Sequence, residues 1–352
     1  MVIGFLLGLV LLASCGQAAE DELAGADGVE QDIIPDDEVD SPDAANQDAG
    51  SETATGEEAP TTTEAAAVET TAVETTAPES STTVAPPAPV APPVVTLLDP
   101  GVEPRQELRL VVTNGDEAIN TISTQIVEQF ADGESLIPPQ PIQTIIDVSV
   151  SRENIDGGFV AVSEIVDAQI GADTDPALAA FIETNITDLI GVTTTATVDG
   201  RGFLSLGPAS PANNELVNDV LNDVINQSNP FPVEPVGVGG SWMTVSTIRE
   251  SGLTVMVETT STVVEFTNNG VIIDISYVQM VEGLGEQVDL EGAPAIVEVW
   301  DVTGSGRIEF SFSQFSPVMA EVSEVGTQSF TFPGDRNLEQ RHSALTVVET
   351  LG

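Results

Sequence analysis

The chain has 352 residues, with 57 acidic and only 8 basic side chains, and its formal net charge is −49 at pH 7. This charge disfavours binding to nucleic acid or to anionic lipid headgroups, because both partners would be negative. All the basic residues are arginines beyond position 104, so the first part of the chain carries acidic charge alone.

An apolar run over residues 2–12 is followed by the only cysteine of the chain, Cys15. The run is too short to span a bilayer and is typical of a secretory signal. Residues 2–11 contain no Lys or Arg, although such signals usually begin with basic residues. The true start of the protein could therefore lie upstream of Met1. A second alternative is an ordinary signal peptide in which the cysteine occurs by chance.

The residues before the cysteine are Leu12, Ala13 and Ser14, and together with Cys15 they resemble the lipobox of bacterial lipoproteins. The resemblance implies a signal segment over residues 1–15 and a lipid attached to the cysteine sulfur. It also implies that the membrane is a partner through this lipid. We therefore expect an extracytoplasmic protein that is lipid-anchored to the cell membrane.

Residues 16–103 consist mainly of Ala, Thr, Glu, Asp, Pro and Ser, with few large apolar side chains. Such a segment cannot bury enough apolar surface to offset the entropy of ordering, which predicts a disordered acidic tether. Its end is rich in proline, which predicts a stiffer, polyproline-like spacer. The tether would hold residues 104–352, the predicted folded domain, away from the membrane.

Beyond residue 104, alternating apolar residues and glycine-containing turns predict an antiparallel β-sheet, because short connections exclude parallel neighbours. Asn114 and Gly115 predict a turn after the first strand, and Gly304 and Gly306 predict a hairpin turn. The predicted strands cover residues 105–113, 142–150, 159–170, 192–198, 203–206, 242–248, 253–266, 271–281, 295–302, 307–315, 319–332 and 342–350.

Two amphipathic helices are predicted within this run of strands. Residues 176–190 have apolar residues at helical spacing, with Asp175 as the cap, and residues 211–227 repeat the pattern with Ser210 as the cap. Helices next to a large antiparallel sheet predict the α+β class, with a curved, half-barrel-like sheet and both helices on one of its faces. A closed sandwich would use the same alternating strands, so the sequence does not decide between these two architectures.

Pro235, Gly237, Gly239 and Trp242 form a Pro-x-Gly-x-Gly-x-x-Trp stretch after the second predicted helix. Together with the glycine turn around residues 199–203, this stretch resembles an uncharacterised family of secreted actinobacterial lipoproteins, which implies no known activity. The order of lipobox, tether, curved sheet and helices resembles, more distantly, the LolA- and LprG-like half-barrel lipoproteins. That resemblance implies lipid binding.

The residues offer little catalytic chemistry, so we expect no enzyme. His342 is the only histidine, it lies in a strand pattern, and no Gly-x-Ser-x-Gly motif provides a nucleophile for it. The glycines near Trp242 precede a strand, whereas a phosphate-binding loop needs a helix N-terminus. The sequence has no His/Cys cluster for zinc, and we expect no metal and no cofactor.

The remaining candidate is a non-catalytic binding site for a lipid or another apolar molecule between the helices and the sheet. Its predicted lining residues are Phe181, Leu189, Leu221, Val224 and Trp242. The same side chains would equally serve as core. The alternative function is a structural or protein-interaction module of the cell envelope, with an envelope protein as its partner.

Overall fold

The computed structural model describes residues 92–207, 229–250, 253–290 and 293–351. These residues form one large antiparallel sheet with a single helix, α1 (Pro176–Thr187). The strands are β1 (Val94–Asp99), β2 (Gly115–Ala131), β3 (Glu134–Ile155), β4 (Gly158–Ile170), β5 (Thr193–Asp199), β6 (Leu204–Leu206), β7 (Ser241–Glu250), β8 (Leu253–Thr267), β9 (Gly270–Val281), β10 (Gln287–Leu290), β11 (Ala293–Ser311), β12 (Met319–Phe332) and β13 (Arg336–Leu351).

The strands follow each other in the spatial order β1, β7, β8, β9, β11, β12, β13, β2, β3, β4, β5 and β6, and β10 pairs with β11 beside this path. Most neighbours are also consecutive in the chain and are joined by tight turns, as expected for antiparallel pairs. The last strand, β13, pairs with β2 and thereby joins the two halves of the chain. The path leaves two end strands, β1 and β6.

Successive side chains of a strand point to opposite faces, and here one face is buried and the other is exposed. Strand β13 shows the alternation clearly, with His342 and Ala344 buried while Arg341 and Leu345 are exposed. We call the buried side the inner face and the exposed side the outer face. Apolar clusters cover much of the inner face, and the largest fully buried side chain among them is Trp242.

Helix α1 packs on the inner face of β3 and β4. Its residues Ile182 and Ile186 join Ile142, Ile146 and Ile165 in one buried cluster. Asp175 accepts a hydrogen bond from the backbone N–H of Leu178, which satisfies one of the free amide groups at the helix start.

The predicted α+β class is wrong, because the described part of the chain is nearly all antiparallel β-structure with one short helix. The first predicted helix is present, but it ends at Thr187 and covers only a small part of the sheet. The second predicted helix, residues 211–227, lies outside the described residues. The sheet dominates because several strands are much longer than their alternating apolar runs indicated, with β3 extending over Glu134–Ile155.

Three further predictions about the strands are wrong. Residues 107–113 form no strand, because their amides bond to separate segments: Leu110 donates to Gly200 and Val111 donates to Phe312. Strand β2 was not predicted at all, since buried polar residues interrupt its apolar pattern. The predicted hairpin at Gly304 does not exist, and β11 continues through it.

The described sheet begins earlier than the predicted domain. Val94–Asp99 lies within the predicted tether and forms β1, which pairs with β7. The limit at residue 103 is therefore too late for the start of the sheet. The rest of the tether and the signal segment lie outside the described residues, and their predictions stay predictions.

Candidate functional site

Of the predicted ligand-binding residues, the structure places the side chains of Leu189 and Trp242, and these two lie in different buried clusters. Leu189 follows α1 and is buried in the helix cluster, whereas Trp242 lies in another cluster beneath Phe231. The indole N–H of Trp242 donates a 3.1 Å hydrogen bond to the carbonyl of Pro230, so it is a core residue with a satisfied polar atom.

The other predicted site residues cannot be placed. Phe181 lies in α1, but its side chain is not among those described. The lipidation residue Cys15, the lipobox residues Leu12, Ala13 and Ser14, and the ligand residues Leu221 and Val224 lie outside the described residues.

A polar cluster that the sequence does not predict lies on the inner face and extends across the neighbouring strands β9, β11, β12 and β13. Its centre is Glu324, whose Oε2 accepts hydrogen bonds from the Tyr277 hydroxyl at 2.7 Å and from Gln279 Nε2 at 3.3 Å. Its Oε1 lies 3.0 Å from His342 Nε2. The side chains of Glu324 and His342 are only 3% and 2% exposed, so a buried carboxylate is held by three neighbouring groups.

The contact with Glu324 requires a proton on Nε2 of His342, because a carboxylate can only accept. In the neutral imidazole the other ring nitrogen, Nδ1, is then an acceptor, and it is buried with no hydrogen-bond partner in the described part of the chain. The ring is thus fixed at one nitrogen only. Because both side chains are buried, the cluster in this structure is part of the interior and is closed to a substrate.

Two glycines make room for the rings of this cluster. A Cβ atom at Gly304 would collide with the ring and hydroxyl of Tyr277, and a Cβ atom at Gly326 would collide with the ring of His342. The two glycines occupy the interior of β11 and β12, where glycine otherwise weakens a strand. The sequence pattern predicts a turn at Gly304, but a glycine inside a strand also marks the close approach of another group.

A second buried charge pair joins β2 to β3 on the same face. Arg152 Nη1 lies 3.2 Å from Glu117 Oε2, with side chains 8% and 3% exposed. The other carboxylate oxygen accepts hydrogen bonds from the Ser316 backbone N–H and hydroxyl, at 3.2 and 2.9 Å. Arg152 also donates to the carbonyl of Ser313 at 3.3 Å. The ion pair and these hydrogen bonds therefore connect residues 313–316, which precede β12, to β2 and β3.

The outer face carries a different arrangement, two adjacent rows of almost entirely uncharged side chains. They follow from the strand register and run across nine neighbouring strands, from β1 to β3. The first row is Thr96, Met243, Thr260, Ser276, Ser305, Ser323, Leu345, Thr124 and Gln143, and the second is Val94, Val245, Glu258, Val278, Thr303, Val325, Ser343, Ile126 and Pro141.

We call these two rows the uncharged belt. Glu258 is its only charged member, in a chain with a net charge of −49. At about 4.8 Å between strands the belt is roughly 38 Å long, and its rows are roughly 7 Å apart. Val325 is 57% exposed, and Leu345 and Ile126 are each 43% exposed.

Charged residues border the belt on both sides. On one side, Asp301 pairs in register with Thr327, which pairs with Arg341. On the other side, Asp274 accepts two hydrogen bonds from Arg307, at 2.8 and 3.1 Å. The hydrogen bond that Arg307 donates to Asp274, together with the negative charge of Asp274, raises the pKa of the Arg307 guanidinium above its ordinary value.

A surface depression of about 420 Å³ lies near one end of β2, β12 and β13. Its apolar lining includes Phe130, Phe330 and Leu338, while Asp132 and Glu298 belong to its polar lining. The volume is within the range of small-molecule sites.

Within the described residues, no group of three or more His, Cys, Asp or Glu side chains is placed to hold a metal ion. The same residues include no helix that is long and apolar enough to cross a membrane.

No protein-family model matches the chain, and no curated protein matches it. Among solved structures, the chain is similar to an outer membrane channel from Pseudomonas putida F1, at 8% sequence identity and a TM-score of 0.19. The match covers 71% of this chain and 100% of the channel. A TM-score of this size carries no argument about fold or function.

Proposed function

We propose that this chain is an extracytoplasmic lipoprotein, anchored to the cell membrane through Cys15, whose sheet acts as a non-catalytic protein-interaction module of the envelope. The uncharged belt carries the proposal. A protein with this much negative charge repels anionic surfaces over most of its area, and the belt is a long exposed surface where this repulsion is weakest. We also propose that the chain is related to the uncharacterised actinobacterial lipoproteins that its Pro-x-Gly-x-Gly-x-x-Trp stretch resembles.

The belt suits a protein partner better than a small molecule. It presents hydroxyl groups of Ser and Thr next to exposed Val, Ile and Leu side chains over a long, shallow surface. Protein interfaces commonly combine an apolar centre with hydrogen-bonding groups and with few charges at the centre. The partner would be an envelope protein with a similarly uncharged surface.

Photo-crosslinking in living cells tests the belt. A photoreactive amino acid is placed at Val325 or Leu345 in the belt, and at Glu321 as a control on the same outer face but outside the belt. We expect a discrete crosslinked product from both belt positions and none from Glu321. Equal products from all the positions, or none from the belt, would contradict the proposal.

The anchor has its own test. The variant Cys15→Ser removes the sulfur to which the lipid would be attached. We expect this variant to lose labelling by a radioactive or clickable fatty acid, and either to leave the membrane fraction or to keep its signal segment. The control variant Ser14→Ala should keep both the lipid label and its place in the membrane fraction. Unchanged lipid labelling of Cys15→Ser would overturn the lipoprotein assignment.

A second candidate function is the binding of a lipid or another apolar ligand, and the surface depression is the observation that favours it. Phe130 lines the depression, with the buried Phe330 and Leu338 behind it, whereas Asp132 and Glu298 would repel an anionic headgroup. The suitable ligand is therefore an amphiphile with a cationic or neutral head. The residues predicted from the sequence to line a ligand site are Phe181, Leu189, Leu221, Val224 and Trp242. They have no comparable support, since the two placed side chains, Leu189 and Trp242, lie in different clusters.

A further inference from the structure

The end strand β1 has one edge that is unpaired within the described residues. It pairs with β7 on one side, and no described strand pairs with its other side. Its residues Val94 and Leu98 are 62% and 54% exposed. An exposed edge offers a row of backbone N–H and C=O groups to any extended chain that can approach it.

Natural edge strands avoid such pairing through charges, prolines, bulges or short length. In β1 the one charge is Asp99 at the end of the strand, and residues 94–98, Val-Val-Thr-Leu-Leu, contain no charge and no proline. The register with β7 is regular from Val94 to Leu97, and its only shift lies between Leu97 and Asp99. The exposed edge is thus well suited to accept another strand, and Pro93 and Pro100 limit its length.

We infer that β1 pairs with β1 of a second copy of this chain. In the antiparallel arrangement Thr96 faces Thr96 of the other copy, Val94 faces Leu98 and Val95 faces Leu97. Every cross-strand pair within residues 94–98 is then between uncharged side chains, and β-branched and apolar pairs of this kind stabilise a sheet. The contact also avoids the acidic residues that two copies of this chain would bring together at most other surfaces.

The same topology limits the proposed assembly to a dimer. The contact is isologous, because each copy contributes the same strand, so both partners are satisfied at once. The opposite end of the sheet is β6, which is only Leu204–Leu206 and pairs over Ala196–Val198 of β5. So short an edge cannot propagate a longer array. The inference does not depend on the uncharged belt, but the proposed membrane anchor would favour pairing by confining two copies to one plane.

Engineered disulfides give the sharpest test, since the chain from Gly16 to Gly352 contains no cysteine. The variant Thr96→Cys places two sulfurs opposite each other in the paired strands, where Cβ atoms are about 4.5–5.5 Å apart. Ser276→Cys is the matched control, an exposed residue of the same outer row on β9. Under mild oxidation we expect at least fivefold more covalent dimer from Thr96→Cys than from Ser276→Cys.

Sedimentation velocity over a wide protein concentration provides a second readout. We expect the unmodified chain from Gly16 to Gly352 to form a concentration-dependent dimer, Thr96→Lys to weaken it at least tenfold, and Ser276→Lys to leave it unchanged. A monomer at every concentration, or equal disulfide yields from both cysteine variants, would overturn the inference. Dimerisation lost only in Ser276→Lys would overturn it too and would instead place the contact on the belt.

Discussion

The inner and outer faces of β11, β12 and β13 differ in where they place charged and apolar side chains. On the inner face, Glu324 is an acidic residue with 3% exposure of its side chain, and Tyr277, Gln279 and His342 surround it. On the outer face, the exposed position next to it in β12, Val325, is apolar. In a strongly acidic chain we would expect the reverse, with carboxylates in water and valine inside.

We infer from this difference that the residues of the inner face are required for stability and those of the outer face for binding. A buried carboxylate costs much free energy unless it is hydrogen-bonded, so the inner cluster is a tightly specified part of the fold. An exposed valine costs little stability, so it leaves the outer face free to serve binding. Substitutions on the inner face should therefore change stability, and substitutions in the belt should change association.

The largest effect is expected for Glu324→Ala. It leaves the Tyr277 hydroxyl, the Gln279 amide and the His342 ring without their buried acceptor. We expect the free energy of unfolding to fall by about 3–5 kcal/mol, the scale of breaking a buried charged contact. Urea denaturation measures it, with the exposed Glu321→Ala as the control at about 0.5 kcal/mol or less. Similar losses in both variants would show that the cluster has no special role.

Gly304→Ala should come next. Its new methyl group would collide with Tyr277 and push the ring away from Glu324. Overpacking of this kind costs about 1–3 kcal/mol. The adjacent exposed substitution Ser305→Ala should change the urea midpoint very little. A stable Gly304→Ala protein with an unchanged Tyr277 environment, followed by ultraviolet absorbance, would contradict the packing account.

Val325→Glu tests the other face. We expect its free energy of unfolding to stay within about 0.5 kcal/mol of the parent, because the side chain is exposed. We also expect it to reduce crosslinking from a photoreactive residue at Leu345 by at least tenfold. Thr327→Glu, two residues further along β12 and outside the belt, should leave crosslinking intact. Equal crosslinking in both variants would remove the belt from the binding surface.

The smallest effect is expected for Arg307→Ala, next to the belt. Its hydrogen bond to Asp274 raises the pKa of the guanidinium, so this contribution is complete below the ordinary arginine pKa and is lost only as the pH rises through the raised value. The pair is exposed and screened by solvent. We expect the same urea midpoint as the parent at neutral and mildly alkaline pH, and a clear loss there would contradict this account.

The sequence predicted those elements whose residues alternate strongly. Strands β4, β8 and β9 agree closely with their predicted limits, because apolar residues line one face and turn residues mark both ends. Helix α1 was predicted from its apolar spacing and its cap at Asp175. In these elements the local pattern and the tertiary structure require the same residues.

The inner cluster could not be predicted, because the features that build it break the local pattern. Glu324 and Gln279 are polar residues at buried strand positions, and Gly304 has the appearance of a turn residue although it makes room for the ring of Tyr277. The belt has a related cause, since it is defined by the register of nine strands and not by any single segment. His342 was correctly placed in a strand, but its contact with Glu324 depends on the pairing of β12 with β13.

The most direct test of the central proposal, that this protein binds through its outer face and not by holding a lipid, is native mass spectrometry of the chain from Gly16 to Gly352. The sample is measured before and after extraction with organic solvent. Our account predicts only protein masses, as monomer or dimer, which extraction does not change. A stoichiometric adduct that disappears on extraction and is identified as a lipid would contradict it and would favour the depression near Phe130 and Leu338 as the functional site.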